Sequence, residues 1–188
     1  MDKRNMAVIG SSGAGLPILS SIFLGMPRLR GPVILIQHMP FYINRTVRDH
    51  LSAHTGMTVK LAEQDDPLLP GVLYLAPSEL HLTLVGNERI RLVGGQRVNF
   101  VCPSIDVAMT SITEEPPVFP MGVLLSGVGD DGIEGIRHIK RLGGVTVALE
   151  KGASTITGMS DEAVATGDVD FVLNPEEIRQ RLVDHLGE

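Results

Sequence analysis

Residues 8–19, with the sequence VIGSSGAGLPIL, decide how the rest of the chain is interpreted. The apolar run 6–9 is typical of a buried strand and leads directly into the small residues 10–15. After this turn, apolar residues recur at helical spacing. The order predicts a strand, a tight turn and a helix, with Ser11 or Ser12 exposed beside the helix N-terminus.

The glycine spacing of this turn is G-x-x-G-x-G, which differs from three better-known strand-to-helix turns. It is not the dinucleotide fingerprint G-x-G-x-x-G, and no Gly-Lys-Ser/Thr follows as in a P-loop. It is also not the G-x-S-x-G nucleophile elbow. Taken alone, the turn leaves both a phosphate site and a serine nucleophile open.

The composition indicates a soluble globular protein. The 188 residues predict a single domain spanning residues 1–188, and 43% of them are hydrophobic. A formal net charge of −6 argues against nucleic acid as the main partner. Cys102 is the single cysteine, which excludes an intrachain disulfide and favours a reducing compartment. No signal-peptide core or membrane-spanning run is found, so we expect a cytoplasmic protein that is not embedded in a membrane.

Short apolar runs alternate with segments of helical periodicity along the chain. Continuous apolar runs such as 32–36 and 121–126 suit parallel strands that are buried on both faces. The alternating segments 81–85 and 89–93 predict an antiparallel β-hairpin. We therefore expect a doubly wound α/β fold with three α/β/α layers, a mostly parallel sheet and the hairpin as an appendage. Further strands are predicted at 59–62, 72–77, 145–149 and 169–173, and further helices at 43–54, from 103, and at 133–142, 159–166 and 175–186.

Three predicted strand ends carry the residue types of a nucleophilic triad. They are Ser11 or Ser12 after the first strand, His38 after the second, and Asp130 or Asp131 after the strand at 121–126. Sites in open α/β sheets form beyond the carboxyl ends of strands. An imidazole can take a serine proton near neutral pH, and a carboxylate can hold the imidazole in the required tautomer. The pattern therefore predicts a Ser-His-Asp site.

Each of these residues also has a purely structural interpretation. His38 could bond a loop carbonyl, and Asp130 and Asp131 could cap the helix that follows them. Two adjacent aspartates could also suggest a metal, but no His/Cys cluster has zinc spacing and no D-x-[DN]-x-[DN]-G loop is present. We therefore expect no metal and no cofactor.

Seven blocks of sequence, in this order, resemble the catalytic domain of the CheB-type chemotaxis protein-glutamate methylesterases. The resemblance runs over nearly the whole chain and is far more specific than the turn alone. The blocks are VIGSSGAG (8–15), VILIQHMP (33–40), LLPGVLYLAPSELHLTL (68–84), VNFVCPSIDVAM (98–109), GVLLSGVGDDGIEG (122–135), GG-V-T-VALE (143–150) and ITGMSDEAVATGDVDFVL (156–173).

This resemblance implies which residues form the site. The family's nucleophile motif, similar to G-A-S-T-G-G, selects Ser12 over Ser11. The motif Q-H-M-P selects His38, and the last acid of G-M-G-x-D-G selects Asp131. Residues expected to line the site or to supply oxyanion donors are Gly13, Val128 and Met39.

The resemblance also implies an activity. The family hydrolyses glutamate γ-methyl esters on the helical cytoplasmic bundle of chemoreceptors, and glutamine deamidation is a related reaction. No cofactor, metal or nucleic acid is implied. Full-length relatives carry an N-terminal receiver domain, for which this chain has no room. We therefore expect either a stand-alone enzyme, with a separate receiver or signalling protein as a candidate regulator, or a fragment.

The chain departs from the family pattern at four places. Val128 stands in place of methionine, Gly13 in place of threonine, and Ser160 in place of proline. The segment Phe100-Val101-Cys102 replaces a basic Arg-His-Arg segment. Arginine is suited to carboxylate recognition, so this last change bears on substrate preference. The same change motivates one alternative, a non-catalytic binding module on the same fold. A weaker alternative is a nucleotide-binding α/β protein that uses the glycine turn, which has no basic phosphate partner beside it.

Overall fold

The fold is built on a seven-stranded sheet in which every neighbouring pair of strands is parallel. The structure is a computed structural model and describes residues 4–187. The sheet order is β3-β4-β2-β1-β7-β8-β9, and a separate antiparallel pair is formed by β5 and β6. The strands are β1 (Arg4–Ser11), β2 (Val33–Gln37), β3 (Thr58–Leu61), β4 (Val72–Leu75), β5 (His81–Val85), β6 (Arg89–Val93), β7 (Val118–Leu124), β8 (Val145–Leu149) and β9 (Phe171–Leu173).

Helices cover both faces of this sheet. Short 3-10 turns at Gly13–Gly15 and Phe41–Ile43 lead into the first two of them. The α-helices are α1 (Leu16–Phe23), α2 (Asn44–His54), α3 (Ile105–Thr110), α4 (Ile133–Arg141), α5 (Gly158–Ala165) and α6 (Pro175–Leu186). The predicted doubly wound fold and its antiparallel hairpin are therefore confirmed.

Alternate residues of β1 supply two separate cores. Ala7 and Ile9 pack with the buried residues of α1, α2 and α6. Met6 and Val8 pack with those of α3, α4, α5 and the hairpin. Because each central strand is covered on both faces, its sequence is a continuous apolar run rather than an alternating one.

The strand β7 begins earlier than the sequence predicted, and the difference involves a proline. The prediction placed the strand from Met121 onward and left Pro120 outside it, whereas β7 begins at Val118. Residues 118–120 pair with β1, but β8 begins only opposite Met121. Pro120 therefore lies where one side of β7 is unpaired, and there its missing N–H is tolerated.

The sheet topology brings the candidate residues to one edge. The chain runs outward from β1 through β2 to one side and from β7 through β9 to the other, so the strand order reverses between β1 and β7. Ligands bind at such a switch point, beyond the carboxyl ends of the strands. Ser12 follows β1, His38 follows β2 and Asp131 follows β7, which are three adjacent strands. Within residues 4–187, no helix is long and apolar enough to cross a bilayer.

Candidate active site

The two serines of the glycine turn have different exposure. Ser11 is fully buried, whereas Ser12 is partly exposed. The backbone holds Ser12 in place, because its N–H donates to the Ser126 carbonyl at 3.1 Å and its carbonyl accepts from the Gly15 N–H at 2.8 Å. Ser12 is therefore the serine whose hydroxyl a substrate could reach.

His38 and Asp131 are in direct contact although 93 residues separate them in the sequence. The distance from His38 Nε2 to Asp131 Oδ2 is 2.9 Å. The His38 backbone N–H donates to the Ser11 carbonyl at 2.9 Å, which places the histidine beside the serine turn. Because Nε2 faces Asp131, Nδ1 is the ring nitrogen that remains to accept a proton from another group.

The Asp131 carboxylate is buried and accepts three further hydrogen bonds from the start of α3. Ser104 Oγ donates to Oδ1 at 2.6 Å, the Ile105 N–H to Oδ2 at 2.7 Å, and the Asp106 N–H to Oδ1 at 3.1 Å. Burial on its own would raise the pKa of Asp131, but the hydrogen bonds from His38, Ser104 and the α3 backbone outweigh it. The net effect lowers the pKa of Asp131, so the group is a carboxylate at neutral pH.

A second buried aspartate, Asp106, belongs to the site and was missed by the sequence analysis. Its Oδ1 accepts from the Gly132 N–H at 2.9 Å and from the Gly135 N–H at 2.7 Å. Desolvation and the nearby charge of Asp131 raise the pKa of Asp106 to about 6, against the opposing effect of these N–H donors. An aspartate in the first turn of a short predicted helix gives no signal of this role, since its partners are 26 and 29 residues away.

The capping role considered for Asp131 needs correction. As the structural alternative to a triad role, Asp131 could have capped the helix that follows it, α4, but its carboxylate accepts from the first N–H groups of α3. The carboxylate that bonds the start of α4 is that of Asp106. The α4 N-cap is Gly132, whose φ of 106° is the left-handed conformation that glycine adopts readily.

Within residues 4–187, no hydrogen bond joins the Ser12 hydroxyl to His38, and Ser12 lies against Gly127 instead. A Cβ placed on Gly127 would be 3.2 Å from Ser12 Oγ, so a larger residue there would crowd the hydroxyl. Gly127, at the start of the loop 127–131, thus contacts Ser12, and Asp131, at the end of this loop, bonds His38. Catalytic hydrogen bonds are often long before substrate binds, so the absence of a hydrogen bond between Ser12 and His38 is compatible with Ser12 as the candidate nucleophile.

The residues expected to line the site have different environments. Gly13 is exposed and opens the 3-10 turn after Ser12, and Val128 is exposed beside Gly127. Met39 packs against the core, and its carbonyl accepts from Ser78 Oγ at 2.8 Å. In the part of the chain that the structure describes, no group of three or more His, Cys, Asp or Glu side chains could hold a metal.

Three other histidines use Nε2 to bond backbone carbonyls, and one of them, His81, also accepts the Ser104 N–H at its Nδ1, beside the hydrogen bonds of Asp131. His81 Nε2 donates to the Gln96 carbonyl, His138 Nε2 to the Ile112 carbonyl and His185 Nε2 to the Phe119 carbonyl, at 2.7 to 3.0 Å. His38 is therefore distinguished from them by its carboxylate partner.

Comparison with known proteins identifies the family. The family model described as CheB methylesterase matches residues 7–182. The chain belongs to the CheB methylesterase family. The resemblance to this family that the sequence motifs indicated is thereby confirmed.

Individual relatives of the CheB methylesterase family agree with this assignment. The "Protein-glutamate methylesterase/protein-glutamine glutaminase" of Yersinia pestis bv. Antiqua (strain Antiqua) is 31% identical over 97% of this chain and 53% of its own length. A "Protein-glutamate methylesterase/protein-glutamine glutaminase 1" from Geobacter metallireducens is 34% identical over 95% of this chain and 50% of its own length. The chain therefore spans about half the length of the curated relatives it matches.

A solved structure of the family has the same fold. The Thermotoga maritima CheB methylesterase catalytic domain superposes with a TM-score of 0.89 at 28% sequence identity, covering 98% of this chain and 99% of that chain. The described fold is thus the fold of a CheB catalytic domain.

Proposed function

We propose that this chain is a serine hydrolase that removes methyl groups from glutamate γ-methyl esters of the cytoplasmic helical bundle of chemoreceptors. Deamidation of glutamine side chains on the same bundle is the related reaction. The observation that carries the proposal is the 2.9 Å hydrogen bond between His38 Nε2 and Asp131 Oδ2 at the strand end next to Ser12. The relatives described above, which are named as protein-glutamate methylesterases, support the same substrate class.

In the proposed reaction, Ser12 Oγ attacks the ester carbonyl while His38 Nδ1 takes the hydroxyl proton. Asp131 stabilises the resulting imidazolium through its bond to Nε2–H. The imidazolium then protonates the departing methoxide, so methanol leaves and an acyl-enzyme on Ser12 remains. Water, deprotonated by His38, attacks the acyl-enzyme, and glutamate and free Ser12 are regenerated.

The negative charge that develops on the carbonyl oxygen needs hydrogen-bond donors. We assign this role to backbone N–H groups of the turn that opens at Gly13, because the turn directly follows the nucleophile. These donors are main-chain N–H groups, so they are present whether this position holds threonine or, as here, Gly13. Met39 and Val128 are assigned to the lining of the site. The proposed reaction uses no metal or cofactor, and the proposed compartment is the cytoplasm.

The test compares Ser12→Ala with Ser11→Ala in an assay of methanol release from a methylated receptor cytoplasmic fragment. Ser12→Ala removes the nucleophile and is expected to lower kcat by at least roughly 1,000-fold. Ser11→Ala, which alters a buried neighbour, is expected to keep kcat within several-fold of the wild-type value. Full activity in Ser12→Ala, or no methanol release by the wild-type chain, would contradict the proposal.

A second candidate function is a non-catalytic binding module. It is favoured by the lack of a hydrogen bond between Ser12 and His38 in the described residues. A fluorophosphonate probe separates the two functions, because only an activated serine is labelled. Labelling that is lost in Ser12→Ala supports the hydrolase, whereas an unlabelled wild-type chain that still binds the receptor fragment supports the binding module.

A further inference from the structure

The four most exposed large apolar side chains of the described chain are connected to the candidate triad. Three are within four residues of His38 or Asp131 in the sequence, and the fourth is linked to Asp131 by hydrogen bonds. Phe100 is 92% exposed, Tyr42 81%, Val128 76% and Phe41 65%, ahead of every other exposed large hydrophobic residue in residues 4–187. We refer to these four residues as the apolar rim. Exposed apolar surface that clusters around a site is characteristic of surfaces that contact a partner.

Three members of the apolar rim are attached to the triad through short loops. Phe41 and Tyr42 open the 3-10 turn that comes directly after His38-Met39-Pro40. Val128 follows Gly127, the residue that packs on Ser12, in the loop that leads to Asp131. A protein bound with its reactive side chain at Ser12 would therefore approach the loops that carry these side chains.

The fourth member, Phe100, stands at the tip of a tight turn. The N–H and carbonyl groups of Val98 and Val101 bond each other reciprocally, both at 3.0 Å. The two residues between them, Asn99 and Phe100, have φ values of 49° and 65°. Two-residue turns with positive φ at both positions strongly prefer Asn-Gly, so a phenylalanine at the second position is unfavourable.

A side-chain hydrogen bond joins this turn to the catalytic aspartate through Asp106. Asn99 Nδ2 donates to Asp106 Oδ2 at 3.0 Å, and the Asp106 N–H donates to Asp131. Phe100 is thus held outward, in a strained conformation, beside the start of α3. Backbone strain of this kind is characteristic of functional sites.

We propose that the apolar rim is the docking surface for the substrate protein, and that Phe100 and Tyr42 contact the apolar stripe of the helix that carries the ester. This inference rests on the proposed function and specifies how its helical substrate is held. An amphipathic helix presents apolar residues at i, i+3 and i+4, which suits a small number of exposed aromatic anchors.

Charge supports an apolar mode of docking. The chain has a net charge of −6, so it would repel an acidic helix unless neutral contacts hold that helix. The methyl ester is neutral and the product is a carboxylate. An apolar rim on an anionic protein therefore holds the substrate better than the product.

The test uses Phe100→Gly and Tyr42→Ala, with Leu24→Ala as a matched control. Leu24 is 58% exposed at the end of α1, outside the rim. For each variant, kcat and KM are measured on a methylated receptor fragment, and the rate is measured on a small acetate ester. We expect each rim variant to raise KM at least fivefold, with kcat and the small-ester rate within twofold of wild type.

Thermal unfolding separates docking from a structural role. Glycine adopts positive φ without strain, so Phe100→Gly is expected to keep or raise Tm while it weakens docking. Phe100→Leu, which restores an apolar side chain, is expected to recover most of the affinity. An unchanged KM in both Phe100→Gly and Tyr42→Ala, or an equal rise in Leu24→Ala, would overturn the proposal.

A binding measurement keeps this inference separate from the esterase activity. Calorimetric titration of the receptor fragment into Ser12→Ala protein, with and without Phe100→Gly, needs no catalysis. Weaker binding with Phe100→Gly supports docking even if the wild-type chain releases no methanol. Equal binding by the two proteins overturns docking even if the wild-type chain is an active esterase.

Discussion

Asp131 and Asp106 bond the starts of each other's helices. Asp131, which precedes α4, accepts the Ile105 and Asp106 N–H groups at the start of α3. Asp106, in the first turn of α3, accepts the Gly132 and Gly135 N–H groups at the start of α4. This reciprocal pairing fixes the Asp131 carboxylate relative to both helices, and hence toward His38.

The first prediction concerns the pH dependence of stability in Asp106→Asn. The pKa of Asp106 is about 6 in the folded protein, against 3.8 for an unperturbed aspartate, so the folded state binds more protons between these values. The free energy of unfolding therefore falls as pH rises from 4 to 7. Asp106→Asn has no carboxyl group to titrate at this position, so its stability relative to wild type should increase by roughly 2 kcal/mol over that range.

Denaturant unfolding at several pH values measures this difference, and Asp49→Asn is the control. Asp49 lies on the surface, where it pairs with Arg48, so Asp49→Asn reports the effect of removing an exposed carboxylate. A constant difference for Asp106→Asn would contradict the assignment of Asp106 as a buried carboxyl with a raised pKa.

The second prediction is that Asp131→Asn lowers both stability and activity, with the opposite dependence on pH. The folded-state pKa of Asp131 is lowered, so its contribution is present above the unfolded value and is lost as pH falls through the folded one. In Asp131→Asn, the side-chain NH₂ group would face N–H or O–H donors that bond a carboxylate oxygen in the wild-type protein. We expect a loss of about 2–4 kcal/mol near neutral pH and a roughly 1,000-fold or larger fall in kcat.

Thermal melts at pH 7 and pH 3, together with methanol release, check this prediction. The stability difference between Asp131→Asn and wild type should shrink at the lower pH, because a lowered folded-state pKa makes the wild-type protein lose stability as pH falls below the unfolded value of 3.8. A variant that keeps wild-type kcat would remove Asp131 from the proposed mechanism.

The third prediction separates helix capping from a role in the site, using Ser104→Ala and Asn174→Ala. Ser104 Oγ accepts from the Val107 N–H to cap α3 and donates to Asp131. Asn174 caps α6 through the Glu177 N–H, away from the triad. Asn174→Ala should lose about 1 kcal/mol of stability, and Ser104→Ala should lose more, because it also loses a hydrogen bond to a buried carboxylate. Only Ser104→Ala removes a donor to the Asp131 carboxylate, so only in this variant should kcat fall. The loss of that donor favours protonation of the carboxylate, so the acid limb of the pH profile of kcat should move to higher pH. A fall in kcat that is equal in both variants would show that capping alone is responsible.

The parts of the fold that the sequence predicted are those with local signals. The hairpin at 81–85 and 89–93 has the bounds that its alternation predicted, and α6 begins at Pro175 and ends at Leu186 as expected. The alternation of strand and helix signals along the chain also predicted the mostly parallel sheet. These features depend on residues close in the chain, which periodicity and capping patterns describe directly.

Other features depend on contacts between distant residues. The role of Asp106 requires N–H groups in another helix, and the position of Pro120 inside a central strand is allowed only by the stagger between β7 and β8. The turn at 98–101 contains no glycine, so its tight geometry had no local signal. The residues proposed for the triad were selected by strand ends and family motifs, whereas the network around Asp131 came from the structure alone.

The last prediction tests the packing beneath Ser12, the proposed nucleophile, with Gly15→Ala and Gly13→Ala. A Cβ on Gly15 would lie 2.0 Å from Ser11 Oγ, whereas one on Gly13 would have no atom within 4 Å. Neither glycine has a positive φ, so the two substitutions differ mainly in this contact. Gly15→Ala should cost about 1–3 kcal/mol of stability through overpacking, and it should also lower kcat because the Gly15 N–H holds the Ser12 carbonyl. Gly13→Ala should have nearly wild-type stability.

A double-mutant cycle identifies the cause of the Gly15 effect. Ser11→Ala removes the oxygen that the new methyl group would meet, so Gly15→Ala with Ser11→Ala should recover most of the stability lost by Gly15→Ala alone. Denaturant unfolding of the four proteins gives the coupling energy. Additive effects would mean that the buried Ser11 hydroxyl is not what limits the size of residue 15, and that the turn beneath Ser12 is restrained by other contacts.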